Sequence, residues 1–176
     1  GELYTFGRGL YGQLGHGECE KCIEEPRAVA ALAEKRVVTV SSGKFYTAAL
    51  TNEGDLYTFG LADDGCLGHS PSHVKRFDKY GKCRVVPVPT LVLPVYFGGA
   101  RVVAVAAGDR HTAAITGNGE LYTFGHGGSG RLGHGSSCNK QCVPRRVEGL
   151  NGRWVVQVSC GERHTSVVAH PRGLAQ

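Results

Sequence analysis

Three groups of residues in this 176-residue chain have types and spacings suited to chemistry. Gly7-Arg8-Gly9-Leu10-Tyr11-Gly12 is G-x-G-x-x-G behind the strand-like Leu3–Phe6, the arrangement that brings backbone N–H groups to a dinucleotide pyrophosphate. Cys19-x-x-Cys22 and Cys138-x-x-x-Cys142 pair thiols at spacings that supply half of a zinc site or a redox couple. His111 stands two residues after Asp109, a pairing that would orient an imidazole base. Each chemistry makes a further demand. The phosphate loop needs a helix N-terminus behind it, and Gln13-Leu14-Gly15-His16-Gly17 is not a helix start. Zinc needs two more ligands per pair, and only His16 and His134 stand near enough in sequence to offer a third.

The same residues recur in register, which changes their meaning. GELYTFG at 1–7 returns as GDLYTFG at 54–60 and GELYTFG at 119–125. A second block follows each copy: Gly12-Gln13-Leu14-Gly15-His16, Gly65-Cys66-Leu67-Gly68-His69 and Gly130-Arg131-Leu132-Gly133-His134. A third block reads VTVSSGKFYTAAL at 38–50, VAVAAGDRHTAAI at 103–115 and VQVSCGERHTSVV at 156–168. Pro26, Pro89 and Pro144 introduce one more short apolar run per copy. A cofactor site has no need to recur, so the glycines read as tight turns where loops crowd together. His16, His69 and His134 share one repeat position and His111 and His164 another. They read as structural residues that hydrogen-bond the turns of their own repeat, together with Gly43, Gly108 and Gly161. The cysteine pairs fall in the same loop of repeats separated by one other, so they do not converge on one ion. Cys19, Cys22, Cys138 and Cys142 remain weak metal candidates and otherwise inert thiols.

Four strand-like runs make up each unit. The middle unit has Val37–Val40, Tyr46–Leu50, Asp55–Phe59 and a fourth near Thr90–Leu93. Alternation puts Leu3, Thr5, Leu56, Thr58, Leu121 and Thr123 on one face and the Tyr and Phe residues between them on the other. Ala30–Glu34 makes at most a helical turn. The 27 glycines punctuate β-branched and aromatic runs, which favours an all-β fold. A repeat of four antiparallel strands is a propeller blade. The expected fold is a partial β-propeller of four-stranded antiparallel blades. Its half blade spans 1–29, its whole blades 37–93 and 102–148, and a second half blade 154–169.

One repeat is longer. About 12 extra residues fall within 70–86 of the middle unit, as the spacing of the copies shows. Lys75, Arg76, Lys79, Lys82 and Arg84 there face one carboxylate, Asp78, and Phe77 and Tyr80 are interleaved with them. The rest of the chain supplies little of its net charge of +5. A basic, aromatic loop on a rigid scaffold is a binding element for an acidic protein face, for phosphates or for nucleic acid. Against it stands a solvated insertion, which long loops tolerate.

The turn Ala106-Ala107-Gly108-Asp109-Arg110-His111-Thr112 and its copy Ser159–Thr165 carry a small-small-Gly-x-x-His-Thr signature. Ser41–Thr47 departs from it at Tyr46. With the G-x-x-x-x-G-x-L-G-H-G block at 7–17 and 125–135, the chain resembles the regulator of chromosome condensation repeats. The family includes the exchange factor for the Ran GTPase and many larger proteins. The resemblance implies a seven-bladed ring, of which these repeats supply about three. The chain has no methionine and its first residues already lie beside a strand, so it reads as a piece of a larger protein. A head-to-tail partner completing the open half blades is the alternative. The resemblance also implies function through loops on the propeller faces: an interaction scaffold, exchange on a Ran-like small GTPase, or binding to nucleosomes. No cofactor, catalytic constellation or apolar run of membrane-spanning length is evident. Seven cysteines, an odd number, suit reduced thiols in the cytoplasm or nucleus.

Overall fold

The computed structural model describes residues 1–19, 21–74, 77–78, 81–135 and 138–173. The described residues fold as twelve strands in four antiparallel sheets. The first is a two-stranded sheet of β1 (Tyr4–Gly7) and β2 (Ile23–Ala28). Next come β3 (Val37–Ser42), β4 (Tyr46–Thr51), β5 (Leu56–Leu61) and β6 (Val85–Leu91), paired in that order. The third sheet repeats this with β7 (Val102–Ala107), β8 (His111–Thr116), β9 (Leu121–His126) and β10 (Lys140–Arg146). The last holds β11 (Arg153–Cys160) and β12 (Thr165–Pro171). The architecture is all-β, and two sheets are the four-stranded blades of a partial propeller. Among the described residues four single-turn 3-10 helices, Ala30–Leu32 one of them, join or cap the strands. Among the described residues no helix is long and apolar enough to cross a membrane.

The strand order explains the residue types. Strand β7 packs against β3 and β4 on one side and β11 on the other, so the first strand of each sheet lies innermost. The second strands β4 and β8 are buried on both faces. Their small and β-branched sequences, YTAALT and HTAAIT, are what close packing between sheets requires. Aromatic residues of the third strand face the preceding sheet. Phe59 joins Leu3, Val29 and Leu32 of the first sheet, and Phe124 joins Ala48, Leu50, Leu56 and Val92 of the second. Both faces of the middle sheets are therefore core. Tyr4 and Phe6, the first copies of these aromatics, are exposed.

The fourth strand differs from the sequence expectation. It begins at Val85, five residues before the expected start, and contains Pro87 and Pro89. Proline cannot donate to a ladder, but an outermost strand has one side facing solvent. Pro26, Pro87, Pro89 and Pro144 all lie in outer strands, where they also blunt edge-to-edge association.

Candidate interaction surface and the seams that position it

Antiparallel order gives the sheets two ends. The front end holds the β3–β4, β7–β8 and β11–β12 turns and the β1–β2, β5–β6 and β9–β10 loops. The glycine loops lie here, and each grips the next sheet. Gly12 has φ +77°, and a Cβ there would stand 2.6 Å from the Pro87 backbone of the second sheet. Gly15 lies against the Phe59 ring and its counterpart Gly68 against Phe124. Gly17 N–H donates to Pro87 O at 2.9 Å. The G-x-G-x-x-G is therefore filled by protein, and its third glycine is demanded by a strand of the neighbouring sheet.

Threonine and histidine complete each loop. Thr58 Oγ1 donates to Leu67 O at 2.6 Å and stands 2.9 Å from His69 Nε2. Its hydroxyl hydrogen is used by the carbonyl, so the imidazole is the donor. Thr5–His16 and Thr123–His134 repeat the arrangement at 2.9 Å. Burial pushes the His69 pKa down to about 4 and lowers that of His134.

His111 behaves differently from the expectation that each histidine binds its own repeat. Its Nε2 lies 2.8 Å from Thr165 Oγ1 of the following sheet. Thr165 in turn donates to Arg131 O at 2.7 Å, so His111 is again the Nε2 donor. The ring can reach because it lies on Gly108, where a Cβ would stand 2.5 Å from Cε1. That contact is the physical reason for glycine three residues before the ring. Tyr46 departs from the signature in type but not in role. Its Oη donates to His111 O at 2.6 Å and lies 2.9 Å from Thr112 Oγ1, a hydroxyl 2.7 Å from Cys66 O. His164 lies over Gly161 as His111 lies over Gly108, and Gly43 sits under Tyr46. Asp109 makes no hydrogen bond to His111; Nδ1 of that ring is buried without a partner.

The back end shows a second substitution. Arg101 Nε donates across the seam to Glu53 O at 2.7 Å, and its Cβ lies against Gly54. At the next seam Trp154 takes that place, its indole against Gly119. Arg172, 5.9 Å over the Trp154 ring, supplies the guanidinium and donates to Asn118 O at 2.7 Å.

Cys22 is exposed, Cys138 and Cys142 are half-buried, and these three are free thiols. Cys142 packs against Gly65, and Cys19 is half-buried. Among the described residues no three His, Cys, Asp or Glu side chains come together as a metal site.

The insertion rises from the front end between β5 and β6. Lys75, Arg76, Lys79 and Tyr80 lie outside the described residues. Phe77 pairs with Arg84 in an antiparallel bridge and is 53% exposed. Asp78 is buried and accepts the Lys82 N–H at 2.8 Å, which closes the turn. Arg84 Nε lies 3.4 Å from Asp63 and so fastens the loop to its sheet, whereas the Lys82 side chain is exposed. The fastening through Asp63 and Asp78 had no counterpart in the sequence reading, because neither carboxylate recurs between copies.

The regulator of chromosome condensation (RCC1) repeat model matches residues 1–50, 53–115 and 118–168, and a second model for this repeat matches 37–66 and 102–131. The chain is 36% identical over 165 residues to the E3 ubiquitin-protein ligase HERC2 of Homo sapiens, covering 92% of this chain and 3% of that protein. It is 35% identical over 165 residues to the ultraviolet-B receptor UVR8 of Arabidopsis thaliana, covering 94% of this chain and 34% of that protein. The chain thus spans about a third or less of the length of these relatives. Among solved structures it is similar to Prp20p from Saccharomyces cerevisiae, with a TM-score of 0.89 at 25% identity over 98% of this chain and 40% of that one. That structure is described together with its binding properties to Gsp1p and histones. With its three blocks matched along nearly the whole length, the chain belongs to the regulator of chromosome condensation (RCC1) repeat family.

Proposed function

We propose that this chain is a protein-interaction module of a larger scaffold propeller, with the insertion at 70–86 as its recognition element. The observation that carries the reading is the contrast between seams and insertion. Side chains that recur between copies are spent on holding their own loops or on joining sheets. The one elaborated loop is anchored by Asp63 and Asp78 and presents Phe77 outward. A rigid support with an exposed aromatic and nearby cations is how interfaces obtain an anchor at low entropic cost. Lys75, Arg76, Phe77, Lys79, Tyr80 and Lys82 read the partner in this proposal, and Arg84 holds the loop. The module works in the cytoplasm or nucleus.

The likeness to Prp20p supports two narrower readings, exchange on a Ran-like small GTPase and binding to nucleosomes through basic loops. The test replaces 70–84 by the short loop of the third sheet within the full-length protein and compares cross-linked partners. Loss of a specific partner is expected, and an unchanged partner set overturns the proposal. Accelerated nucleotide release from a small GTPase would select the exchange reading, and salt-sensitive nucleosome binding the chromatin one.

A further inference from the structure

Antiparallel topology sorts the charged side chains by end. Among the described residues, the front-end turns and loops carry eight Lys and Arg against six Asp and Glu. The back-end connections carry three against five. The positive surplus of the described loops is therefore one-sided, a property invisible in the net charge. Back-end cations are also largely committed within the fold. Arg101 and Arg172 donate to backbone carbonyls across seams, and Lys35 pairs with Glu53 at 2.7 Å and Asp55 at 3.5 Å. At the front end Lys44 and Lys82 are exposed and in no ion pair among the described residues. Apolar surface lies beside them. The Phe45 ring packs edge-on against Tyr11 with centroids 4.9 Å apart, Lys44 Nζ stands 5.6 Å over it, and Phe77 projects from the insertion.

Carboxylates interrupt this surface in a regular way. Asp63 holds Arg84 at 3.4 Å, Asp64 holds Arg110 at 3.7 Å and Glu162 holds Arg163 at 3.0 Å. A phosphate backbone is charged at every step and would meet these carboxylates as repulsion. A polypeptide can set carboxylates opposite the free cations and neutral side chains opposite the anions.

We propose that the front end is a docking face for an acidic protein segment whose carboxylates alternate with apolar side chains. The proposal rests on the interaction-module reading and names the chemistry and the face. Lys44 and Lys82 contact the carboxylates, and Phe45, Tyr11 and Phe77 the apolar side chains.

The experiment compares two double reversals with the same change in net charge, Lys44→Glu with Lys82→Glu at the front and Arg36→Glu with Arg153→Glu at the back. The probes are a labelled peptide of alternating Glu and Leu and a labelled DNA duplex, each titrated by fluorescence anisotropy into the full chain. The peptide is expected to bind, to weaken as salt rises through about 0.1 M, and to lose about tenfold affinity in the front variant with little change in the back one. Equal loss in both variants would mean net charge alone and overturns the proposal. Tighter binding to the duplex than to the peptide also overturns it, in favour of nucleic acid. A cellular partner that depends on 70–84 but is kept by the front variant leaves the interaction module standing and sinks only this face.

Discussion

Acid should open the seam held by His111, and the size of the effect follows from its geometry. His111 is fully buried, its Nε2–H is spent on Thr165, and Nδ1 has no acceptor. A second proton would sit at Nδ1, in contact range of the Gly108 backbone, where no oxygen can receive it. Arg131, His164 and His126 add like charge nearby and Asp109 only partly opposes them. Burial, the largest cause, brings the His111 pKa down to about 4. In the unfolded chain an ordinary histidine titrates near 6.5. Between these values the unfolded state binds a proton that the folded state refuses. The stabilisation is therefore complete above about pH 6.5 and is lost as pH falls towards 4. At pH 5 the loss is about 2 kcal/mol for this one group, and about 3 kcal/mol when complete. His69 is pushed to the same value and adds a similar amount. A domain with about 5–15 kcal/mol in total would come close to its midpoint. The assay is urea denaturation at pH 7.5 and pH 5, followed by the fluorescence of Trp154, the single tryptophan. The comparison is with His111→Tyr, since Tyr46 makes the equivalent link in the preceding seam. The variant should lose about 2 kcal/mol less than the parent between the two pH values. His111→Gln, which keeps a donor without a titrating ring, should show the same reduced pH dependence even if it is less stable throughout. If parent and both variants lose equal stability, the proton does not act at this seam and the reasoning is wrong.

Other outcomes follow from the same contacts. Gly12→Ala should cost about 3 kcal/mol, from a left-handed backbone and a clash with Pro87, while Gly130→Ala at the same repeat position has open space and should cost about 1 kcal/mol, both read by urea denaturation. Thr58→Val should cost about 3 kcal/mol, because Leu67 O and His69 Nε2 both lose a partner inside the core, and Thr5→Val in the half-buried first copy should cost less in the same assay. Alkylation followed by mass spectrometry should label exposed Cys22 first. Cys160, its pKa raised to about 11 mainly by burial, should react slowly, and Cys66, buried with its thiol pushed up further still, only on unfolding. Asp78→Ala should speed amide exchange at Lys82 without lowering the urea midpoint, since the loop and not the sheets depends on that carboxylate.

The parts of this molecule that repeat along the chain were legible in its sequence, and the parts that join one repeat to the next were not. The strand count per repeat followed from glycine punctuation and from the recurring YTF runs. Periodicity reports what each unit does within itself. The His111–Thr165 and Tyr46–Thr112 contacts join residues 54 and 66 positions apart. Nothing local distinguishes a histidine facing its own turn from one facing the next sheet, so the repeat pattern alone places His111 on the wrong side. Gly12 is accounted for by Pro87, which no pattern near Gly12 announces. The early start of β6 was hidden because a proline marks a break in most contexts, and its tolerance depends on the strand being outermost. Trp154 aligns with Arg101 as a mismatch, and only Arg172 folding over it shows that one guanidinium had been replaced by another from a different turn.

The turn rings and glycine loops both reach forward, from one sheet to its successor. The cooperative unit of this protein is consequently not the repeat that can be read along the chain, but a block shifted by half a period that straddles two of them. Amide exchange should partition at the middles of the sheets rather than between them. The same offset bears on how such rings lengthen. A gene segment one period long, cut anywhere, carries one forward-reaching latch and one acceptor for the latch behind it. Its duplication adds a blade with both of its contacts already made, and later changes such as histidine to tyrosine can then diversify one junction at a time.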